Sequence, residues 1–343
     1  MEIDSFFKIA QQYVSEVPLI VLGSGSSVPF GIPTMGQLAN ELEERLSYKD
    51  SDDIDKWKLF LNELEETKDL EKALHNTTLN EKISKDIIKT TWEFICEADK
   101  KAFESIHNNP KQLKLIDLLK YFEKSAKKRT SIVTTNYDRI AEYAVSYTNS
   151  LCYTGFTFNH IGHHISELVD AKFQELRDYS SVIKIWKIHG SLDWFIDHTG
   201  DTLSFPHSSS IPPGYVPCIV TPGIEKYRKT YNEPFRSIMT SIDKDFNNAL
   251  SFFCIGYGFN DEHVQTYLLK KAQKDNIPIV LITKQISSKA KKLIIGGEVA
   301  KYLLIEESTA DNSLVYTPEF NDGVVIEGDF WSLNGFLKIL NPK

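Results

Sequence analysis

The chain has 343 residues, of which 25% are charged and 41% hydrophobic, and its formal net charge is -8. These values are ordinary for a globular protein with a sizeable core, and they exclude a largely disordered chain. The acidic balance also argues against a broad nucleic-acid surface, which needs clustered Lys and Arg. One basic run, residues 120–129, surrounds two aromatic residues and is typical of the solvated end of an amphipathic helix. We therefore expect no direct nucleic-acid partner.

The first residues and the cysteines bear on the cell compartment. The N-terminus reads Met-Glu-Ile-Asp, which is acidic where a secretory signal would be basic, and no stretch approaches membrane-spanning length. The four cysteines, Cys96, Cys152, Cys218 and Cys254, lie far apart without a Cys-x-x-Cys pair, which is typical of reduced thiols. We expect a cytoplasmic protein without a membrane partner.

The first predicted elements form a helix, a strand and a second helix. The first helix covers residues 3–13, and an apolar strand at residues 19–22 runs into a Gly-Ser-Gly-Ser-Ser turn at residues 23–27. Thr34 and Gln37 then form a capping-box pattern that opens the second helix. This arrangement suits a phosphate group, because glycines permit close approach and free N–H groups attract an anion. A plain connection between strand and helix uses the same residue types, so both interpretations stand at this point.

The next stretch, residues 50–129, is almost entirely helical in pattern and predicts a helical insertion or cap, assigned to residues 38–130, within a single domain of residues 1–343. Further strands are predicted at residues 131–135, 182–188, 218–221, 251–255, 278–282 and 302–305. Helices are predicted at residues 138–147, 231–249, 261–274 and 329–340, the last with Asp329 as its N-cap, and a loop at residues 198–217. This alternation predicts an α/β fold with a Rossmann-like, doubly wound and mostly parallel sheet.

Polar residues follow several of the predicted strands. In an open parallel sheet, ligands bind beyond the carboxyl ends of the strands. The polar segments are the turn at residues 23–27, Thr-Asn-Tyr-Asp at residues 135–138, His-Gly-Ser at residues 189–191 and Gly-Tyr-Gly-Phe-Asn-Asp at residues 256–261. Their conjunction predicts one nucleotide site at this edge of the sheet.

Taken in order, these segments resemble the sirtuin superfamily, whose catalytic domains bind NAD on a Rossmann-type sheet. Residues 135–138 resemble the family's Gln-Asn-Ile-Asp segment, residues 189–190 its His-Gly pair, residues 256–258 its Gly-Thr-Ser ribose loop and residues 31–33 its Gly-Ile-Pro loop. The resemblance spans about residues 18–282. It implies that Asn136 and His189 are catalytic and that NAD contacts Gly23, Ser24, Gly25, Ser26, Thr135, Asp138, Gly256, Tyr257, Gly258 and Asp261.

The sequence also departs from the pattern of the family's deacylases. Thr34, Met35 and Gly36 follow the Gly-Ile-Pro loop where deacylases have Asp-Phe-Arg, and the four-cysteine zinc module is missing. The sequence is instead similar to divergent bacterial sirtuin-like domains of antiphage defence, which hydrolyse NAD. This similarity implies an NAD glycohydrolase with NAD as its substrate and no metal, used in abortive infection. It also implies gating by homo-oligomerisation or by a partner such as a hexameric ATPase or a phage-sensing protein.

Several residues keep two interpretations. His189 is either a general base, since imidazole titrates near neutral pH, or a histidine that satisfies backbone groups at a turn. Asn136 either orients a water or the ribose, or is an asparagine tolerated in a turn before a helix. Asp138 is equally suited to cap the helix that follows it and to line the nicotinamide pocket that the resemblance implies, whereas for Asp261 capping is the preferred interpretation. Tyr257 either encloses the nucleotide or belongs to the core. A histidine cluster at residues 160–164 lies in a predicted loop without a cysteine partner, so no metal site is assigned.

Two other functions fit the same residues. One is an NAD-dependent protein deacylase or ADP-ribosyltransferase, which would release nicotinamide only when an acceptor is present. The other is a non-catalytic module that senses NAD or ADP-ribose. The presence of both Asn136 and His189 favours an enzyme.

Overall fold

The computed structural model describes residues 3–125, 129–165, 179–221, 233–309 and 311–341. Three predicted segments therefore lie partly outside the described residues. The basic run and the helical insertion do so at residues 126–128, and the predicted helix at residues 231–249 does so at its first two positions.

The predicted α/β fold with a mostly parallel sheet is confirmed. In the described part of the chain the strands are β1 (Leu19–Leu22), β2 (Arg129–Thr134), β3 (Ser150–Tyr153), β4 (Gly162–His163), β5 (Ser181–Lys187), β6 (Gly190–Ile196), β7 (Thr202–Ser204), β8 (Val216–Ile219), β9 (Phe252–Ile255), β10 (Ile279–Ile282), β11 (Tyr302–Thr309), β12 (Asn312–Thr317) and β13 (Phe320–Glu327). The main sheet has the order β13-β12-β11-β10-β9-β1-β2-β5-β3. Every pair from β3 to β11 is parallel, and β12 and β13 join antiparallel at one end.

The chain order of the strands reverses beside β1. From β1 the chain moves to β2, β3 and β5 on one side, and it later returns to β9 and β10 on the other side. The carboxyl ends of β1 and β9 therefore flank the crevice where open α/β sheets bind ligands. This reversal places the loops at residues 23–27 and 256–261 side by side.

The helices in the described part of the chain are α1 (Ile3–Tyr13), α2 (Met35–Arg45), α3 (Ser51–Thr67), α4 (Leu70–Asn76), α5 (Glu81–Asn108), α6 (Lys114–Glu123), α7 (Ile140–Ser146), α8 (Phe235–Asn248), α9 (Glu262–Asp275), α10 (Ser288–Ile294) and α11 (Leu333–Leu340). They match the predicted helices, with α10 in addition. The prediction that Asp329 caps the last helix is wrong. Ser332 is the N-cap, because its hydroxyl accepts the N–H of Gly335 at 3.0 Å, whereas Asp329 pairs with Lys338. No helix within the described ranges is long and apolar enough to cross a membrane.

Helices cover both faces of the main sheet, as a doubly wound fold requires. Ile20 and Leu22 point into one hydrophobic cluster with α1, α6, α7 and α11, whereas Leu19 and Val21 point into another with α8, α9 and α10. Alternate residues of a strand face opposite sides of the sheet, so a strand buried on both faces is apolar throughout. This explains the unbroken apolar run at residues 19–22.

A third hydrophobic cluster involves the predicted helical insertion. It contains side chains of α2, α3, α4 and the beginning of α5, around Trp57 and Phe60. The later part of α5, from Ile88 onward, and all of α6 pack instead in the cluster on the sheet. The boundaries of the insertion, residues 38–130, and its place in a single domain stay predictions.

A second, smaller sheet corrects two predictions. It has the order β4-β7-β6-β8 and is antiparallel. The predicted strand at residues 218–221 corresponds to β8, which pairs with β6 rather than with the parallel sheet, and the predicted loop at residues 198–217 contains β7. Only Ile188 and His189 separate β5 from β6, and no strand is predicted directly after the His-Gly pair.

Candidate active site

The Gly/Ser turn after β1 lies against the loop after β9. A Cβ atom on Gly23 or Gly256 would overlap the backbone of the opposite loop, and Gly256 has a φ of +57°. The N–H of Gly25 donates to the carbonyl of Gly256 at 3.1 Å. Glycine is required here because two backbones meet without room for side chains.

The N–H groups of this turn are mostly used within the protein. Gly23 donates to Ile255 at 3.1 Å and Ser26 donates to Gly23 at 3.0 Å, in addition to the bond from Gly25. The turn forms two short 3-10 segments, and α2 begins later, capped by Thr34 in the predicted capping box. The N–H groups of Gly23, Gly25 and Ser26 therefore already have carbonyl acceptors, and the contact of these residues with NAD stays a prediction.

Asn136 connects the loop after β2 to the Gly/Ser turn. Its Nδ2 donates to the carbonyl of Gly23 and to Oγ of Ser27, both at 3.0 Å. Its own N–H donates to Oγ1 of Thr134 at 3.1 Å. The side chain is thus held with its donors on the protein, which leaves the amide oxygen as the group it can present to a ligand.

Lys187 is fully buried against the loop after β2. It is not among the site residues predicted from the sequence. Its ammonium donates to the carbonyls of Asn136 at 3.4 Å, Tyr137 at 3.3 Å and Asp138 at a shorter distance. It also lies 3.3 Å from Oε1 of Glu142. A buried charge needs such partners, so Lys187 fixes the backbone that carries Asn136. The signal in the sequence is the pair Lys184 and Lys187 inside a strand whose other residues are mostly apolar.

Asp138 bonds to the start of α7 and lines a cavity. Its Oδ1 accepts the N–H of Ile140 at 3.1 Å, although Arg139 and not Asp138 holds the N-cap position of α7. The residue is 4% exposed, and burial raises the pKa of its carboxyl. The same side chain lines the site described below.

His189 and Asp261 form a hydrogen-bonded pair across the strand ends. Nε2 of His189 lies 2.9 Å from Oδ2 of Asp261. The other oxygen of Asp261 accepts the N–H of Val264 at 3.0 Å and caps α9, as predicted. The side chain of His189 is 14% exposed, so the imidazole reaches the surface of a cavity while a buried carboxylate orients it.

An ion-pair network centred on Arg139 lies next to the loop that carries Asn136 and Asp138. The guanidinium of Arg139 bonds both to Asp99 of α5, at 2.7 and 2.9 Å, and to Asp193 of β6, at 2.8 Å. Tyr143 donates to Asp99 at 2.6 Å. These side chains join the helical region, α7 and the small sheet. No sequence pattern pointed to Asp99, which lies in a long helix rich in Lys and Glu.

Two adjoining cavities contain all the predicted site residues. The first, here named the His189 cavity, has a volume of about 180 Å³ and is lined by every predicted residue except Gly25, Ser26 and Gly256. These three residues line the second, the Gly256 cavity, with a volume of about 640 Å³. Asn136 and Asp138 line both cavities. The predicted convergence of four strand ends is thus what the structure shows.

Tyr257 contributes to the cavity wall from within the core. It is 4% exposed, its ring centroid lies 4.8 Å from that of Phe259, and its hydroxyl donates to the carbonyl of Asp261 at 3.3 Å. Phe259 is fully buried. Within the described ranges, no group of three or more His, Cys, Asp or Glu residues is arranged to hold a metal ion.

Comparisons with known proteins bear on the middle of the chain. Residues 130–293 match the family model of a SIR2-like domain, which supports a divergent sirtuin-like protein. The match includes Asn136, His189 and Asp261 but neither the Gly/Ser turn nor the helical region. No curated protein sequence matches the chain.

Several solved structures are similar to the chain. A Sir2 homologue in complex with NAD has 14% sequence identity and a TM-score of 0.48, over 89% of this chain and 88% of that one. A Sir2 homologue in complex with ADP-ribose has 13% identity and a TM-score of 0.45, over 84% and 88% of the two chains.

Proposed function

We propose that this protein is an NAD glycohydrolase that uses water to cleave NAD into nicotinamide and ADP-ribose. The observation that carries the proposal is the pair of cavities that share Asn136 and Asp138, with His189 and Asp261 in the smaller one. The SIR2-like match over residues 130–293 supports NAD as the substrate class.

The dimensions of the two cavities suit a dinucleotide. The Gly256 cavity, at 640 Å³, lies within the range of roughly 300–1,000 Å³ that is common for small-molecule sites. The His189 cavity, at 180 Å³, is smaller and suits one heterocycle with part of its ribose. The adenosine half would occupy the Gly256 cavity and the nicotinamide half the His189 cavity. Asn136 and the Gly/Ser turn then lie where the two halves meet.

The chemistry requires little from a general acid. The bond between C1 of the ribose and the pyridinium nitrogen breaks, nicotinamide keeps the electron pair and leaves neutral, and the ribose carbon becomes oxocarbenium-like. Water then adds to this carbon and gives up one proton, which yields ADP-ribose. His189 would accept that proton, with Asp261 fixing the orientation of its ring. The amide oxygen of Asn136 would face the developing positive charge.

We also infer a biological role from the resemblance to antiphage proteins. Unregulated hydrolysis of NAD would be toxic to the cell that makes the enzyme. We therefore expect a cytoplasmic NAD-depleting effector that is gated by homo-oligomerisation or by a partner, such as a hexameric ATPase or a phage-sensing protein.

The test is to incubate the purified chain with NAD and to follow nicotinamide and ADP-ribose, with and without an acylated lysine peptide. The assay is repeated at high protein concentration and with products of neighbouring genes. A glycohydrolase releases both products without the peptide. Release that depends on the peptide would indicate a deacylase or transferase. Binding without release in every assembly would indicate a sensing module.

Two variants test the assignment of the site. His189→Ala and Asn136→Ala should each abolish most nicotinamide release, while the protein keeps its fold by circular dichroism. Turnover that survives both substitutions would show that the reaction occurs elsewhere.

A further inference from the structure

The Gly256 cavity combines a buried apolar lining with a basic opening. Leu22, Ile140 and Ile255 are buried residues of its wall. Two lysines also line it, Lys114 at the first position of α6 and Lys284 two residues after β10. Their side chains are 33% and 77% exposed, so both lie at the opening. A wall of this kind suits an adenine ring, and ammonium groups at the opening suit an anion.

Positive charge dominates the lining of this cavity. Among the described residues that line it, Asp138 is the one acidic residue. Asp138 also lines the His189 cavity, so its buried carboxyl lies at the junction of the two cavities and not at the opening. In Rossmann-type sites an acidic residue at the ribose hydroxyls selects NAD, whereas a cation there accommodates the 2′-phosphate of NADP. The charges at this opening correspond to the second case.

Both lysines have a carboxylate nearby. Nζ of Lys114 lies 3.2 Å from Oδ2 of Asp117, and Nζ of Lys284 lies 3.8 Å from Oε2 of Glu307. Partly exposed pairs of this kind contribute little free energy, and an ammonium group has more than one N–H to donate. Each lysine can therefore bind a phosphate group while it stays beside its carboxylate.

The basic character continues along α6 beyond the cavity. A neighbouring groove between α6 and α11 has a volume of about 690 Å³ and shares Lys114 and Asn334 with the Gly256 cavity. Four lysines and one acidic residue line this groove, namely Lys114, Lys120, Lys124, Lys338 and Asp117. The chain as a whole has a net charge of -8, so this is a local concentration of positive charge. It attracts a polyanionic ligand toward the opening of the cavity.

We propose that the Gly256 cavity accepts an adenosine half with an additional phosphate on its ribose, so that NADP is a substrate of the same site, and that Lys114 and Lys284 bind this phosphate. This inference rests on the proposed function, which places the adenosine half in this cavity. The bond that breaks lies at the other end of the dinucleotide. Water therefore adds to the ribose carbon as before and gives up one proton, and the products are nicotinamide and the 2′-phosphate of ADP-ribose.

The position of the phosphate gives the two lysines a kinetic signature. A group far from the reacting carbon is bound equally in the ground state and in the transition state. The lysines should therefore lower KM for NADP and leave kcat unchanged. We expect NADP to bind about tenfold more tightly than NAD, the effect of charge-assisted hydrogen bonds at a partly exposed site.

The experiment compares the affinities of the full chain for NADH and NADPH by their fluorescence. The reduced ring cannot leave as neutral nicotinamide, so neither ligand is consumed. NADPH should bind about tenfold more tightly than NADH. Lys114→Gln and Lys284→Gln should each lower this preference by about threefold, and the double substitution should remove it. Lys284→Arg should retain the preference, and the affinity for NADH should stay the same in all four variants.

Lys120→Gln is the matched control. Lys120 lies on α6, as Lys114 does, and it is exposed and lines the neighbouring groove but not the Gly256 cavity. The substitution removes one positive charge from the same helix, and the preference for NADPH should equal that of the unmodified chain. A loss as large as that of Lys284→Gln would mean that the phosphate is not bound at the opening of the cavity.

The outcomes separate this inference from the proposed function. If the unmodified chain binds neither reduced dinucleotide and releases no nicotinamide from NAD or NADP in any assembly, both fail. If it releases nicotinamide from NAD but binds NADPH no more tightly than NADH, only the phosphate site is wrong. A thermal melt of each variant confirms that the comparison is made between folded proteins.

Discussion

His189 and Asp261 meet with 2.9 Å between Nε2 and Oδ2, although β5 and β9, the strands they follow, are separated by β2 and β1. The pair closes the crevice at the point where the strand order reverses. Asp261 also holds the first turn of α9 through Val264. The position of the imidazole is therefore tied to a helix end on the far side of the site.

Asp261→Asn separates these two functions. Asparagine caps a helix about as well as aspartate, so the free energy of unfolding should change by less than about 1 kcal/mol. The negative partner of His189 is lost, and nicotinamide release should fall by about a factor of 10² or more. Steady-state kinetics and denaturant unfolding measure the two effects. A fully active Asp261→Asn enzyme would remove the pair from the mechanism.

Asn136→Asp tests the donors of the amide. In the native protein the carbonyl of Gly23 accepts a hydrogen bond from Nδ2 of Asn136 at 3.0 Å. The substitution places a carboxylate against this carbonyl instead. We expect loss of dinucleotide binding and of nicotinamide release, and a loss of stability of roughly 1–3 kcal/mol. Asn136→Ala is the comparison, because it removes the bonds without adding a charge. Dinucleotide binding by Asn136→Asp as strong as that of the unmodified protein would show that the loop does not need the bond to Gly23.

The strand ends could be predicted because each follows a short stretch rich in apolar and β-branched residues. Such stretches occur where helices cover both faces of a sheet, and their carboxyl ends face the same side. The sequence therefore predicts that Asn136, His189 and Asp261 lie at one edge of the sheet. It does not predict the contact between His189 and Asp261, which depends on the order of the strands in space.

Other features depend on tertiary contacts that have no local pattern. β6 follows β5 after two residues, so its separate sheet could not be read from the sequence. Asp99 lies in a helical region rich in charged residues, most of which face solvent, and only packing identifies it as the fully buried partner of Arg139. The use of N–H groups in the Gly/Ser turn depends on Gly256, more than two hundred positions away.

Gly256→Ala tests the contact between the two glycine loops. The residue has a φ of +57°, and a Cβ there would overlap Gly25 and Ser26. We expect the free energy of unfolding to fall by about 3 kcal/mol or more, from backbone strain and steric overlap together. Gly200→Ala is a matched control, because Gly200 has a φ of +92° with nothing within 4 Å. It should cost only the strain, about 1 kcal/mol. If denaturant unfolding shows the same loss of unfolding free energy for Gly256→Ala and Gly200→Ala, the two glycine loops are not in close contact.

Glu142 gives a prediction for pH dependence. Burial raises the pKa of its carboxyl from 4.5 to about 7, although Lys187 lies 3.3 Å away. The folded state thus binds more protons than the unfolded state between these pH values, so the stability contributed by Glu142 is present below the lower pKa and falls as the pH rises through the higher one. Relative to Glu142→Gln, the protein should lose about 1 kcal/mol of unfolding free energy per pH unit from about pH 5 to about pH 7. Urea unfolding across this range measures the difference. A difference that is constant with pH would mean that Glu142 stays ionised beside Lys187 throughout.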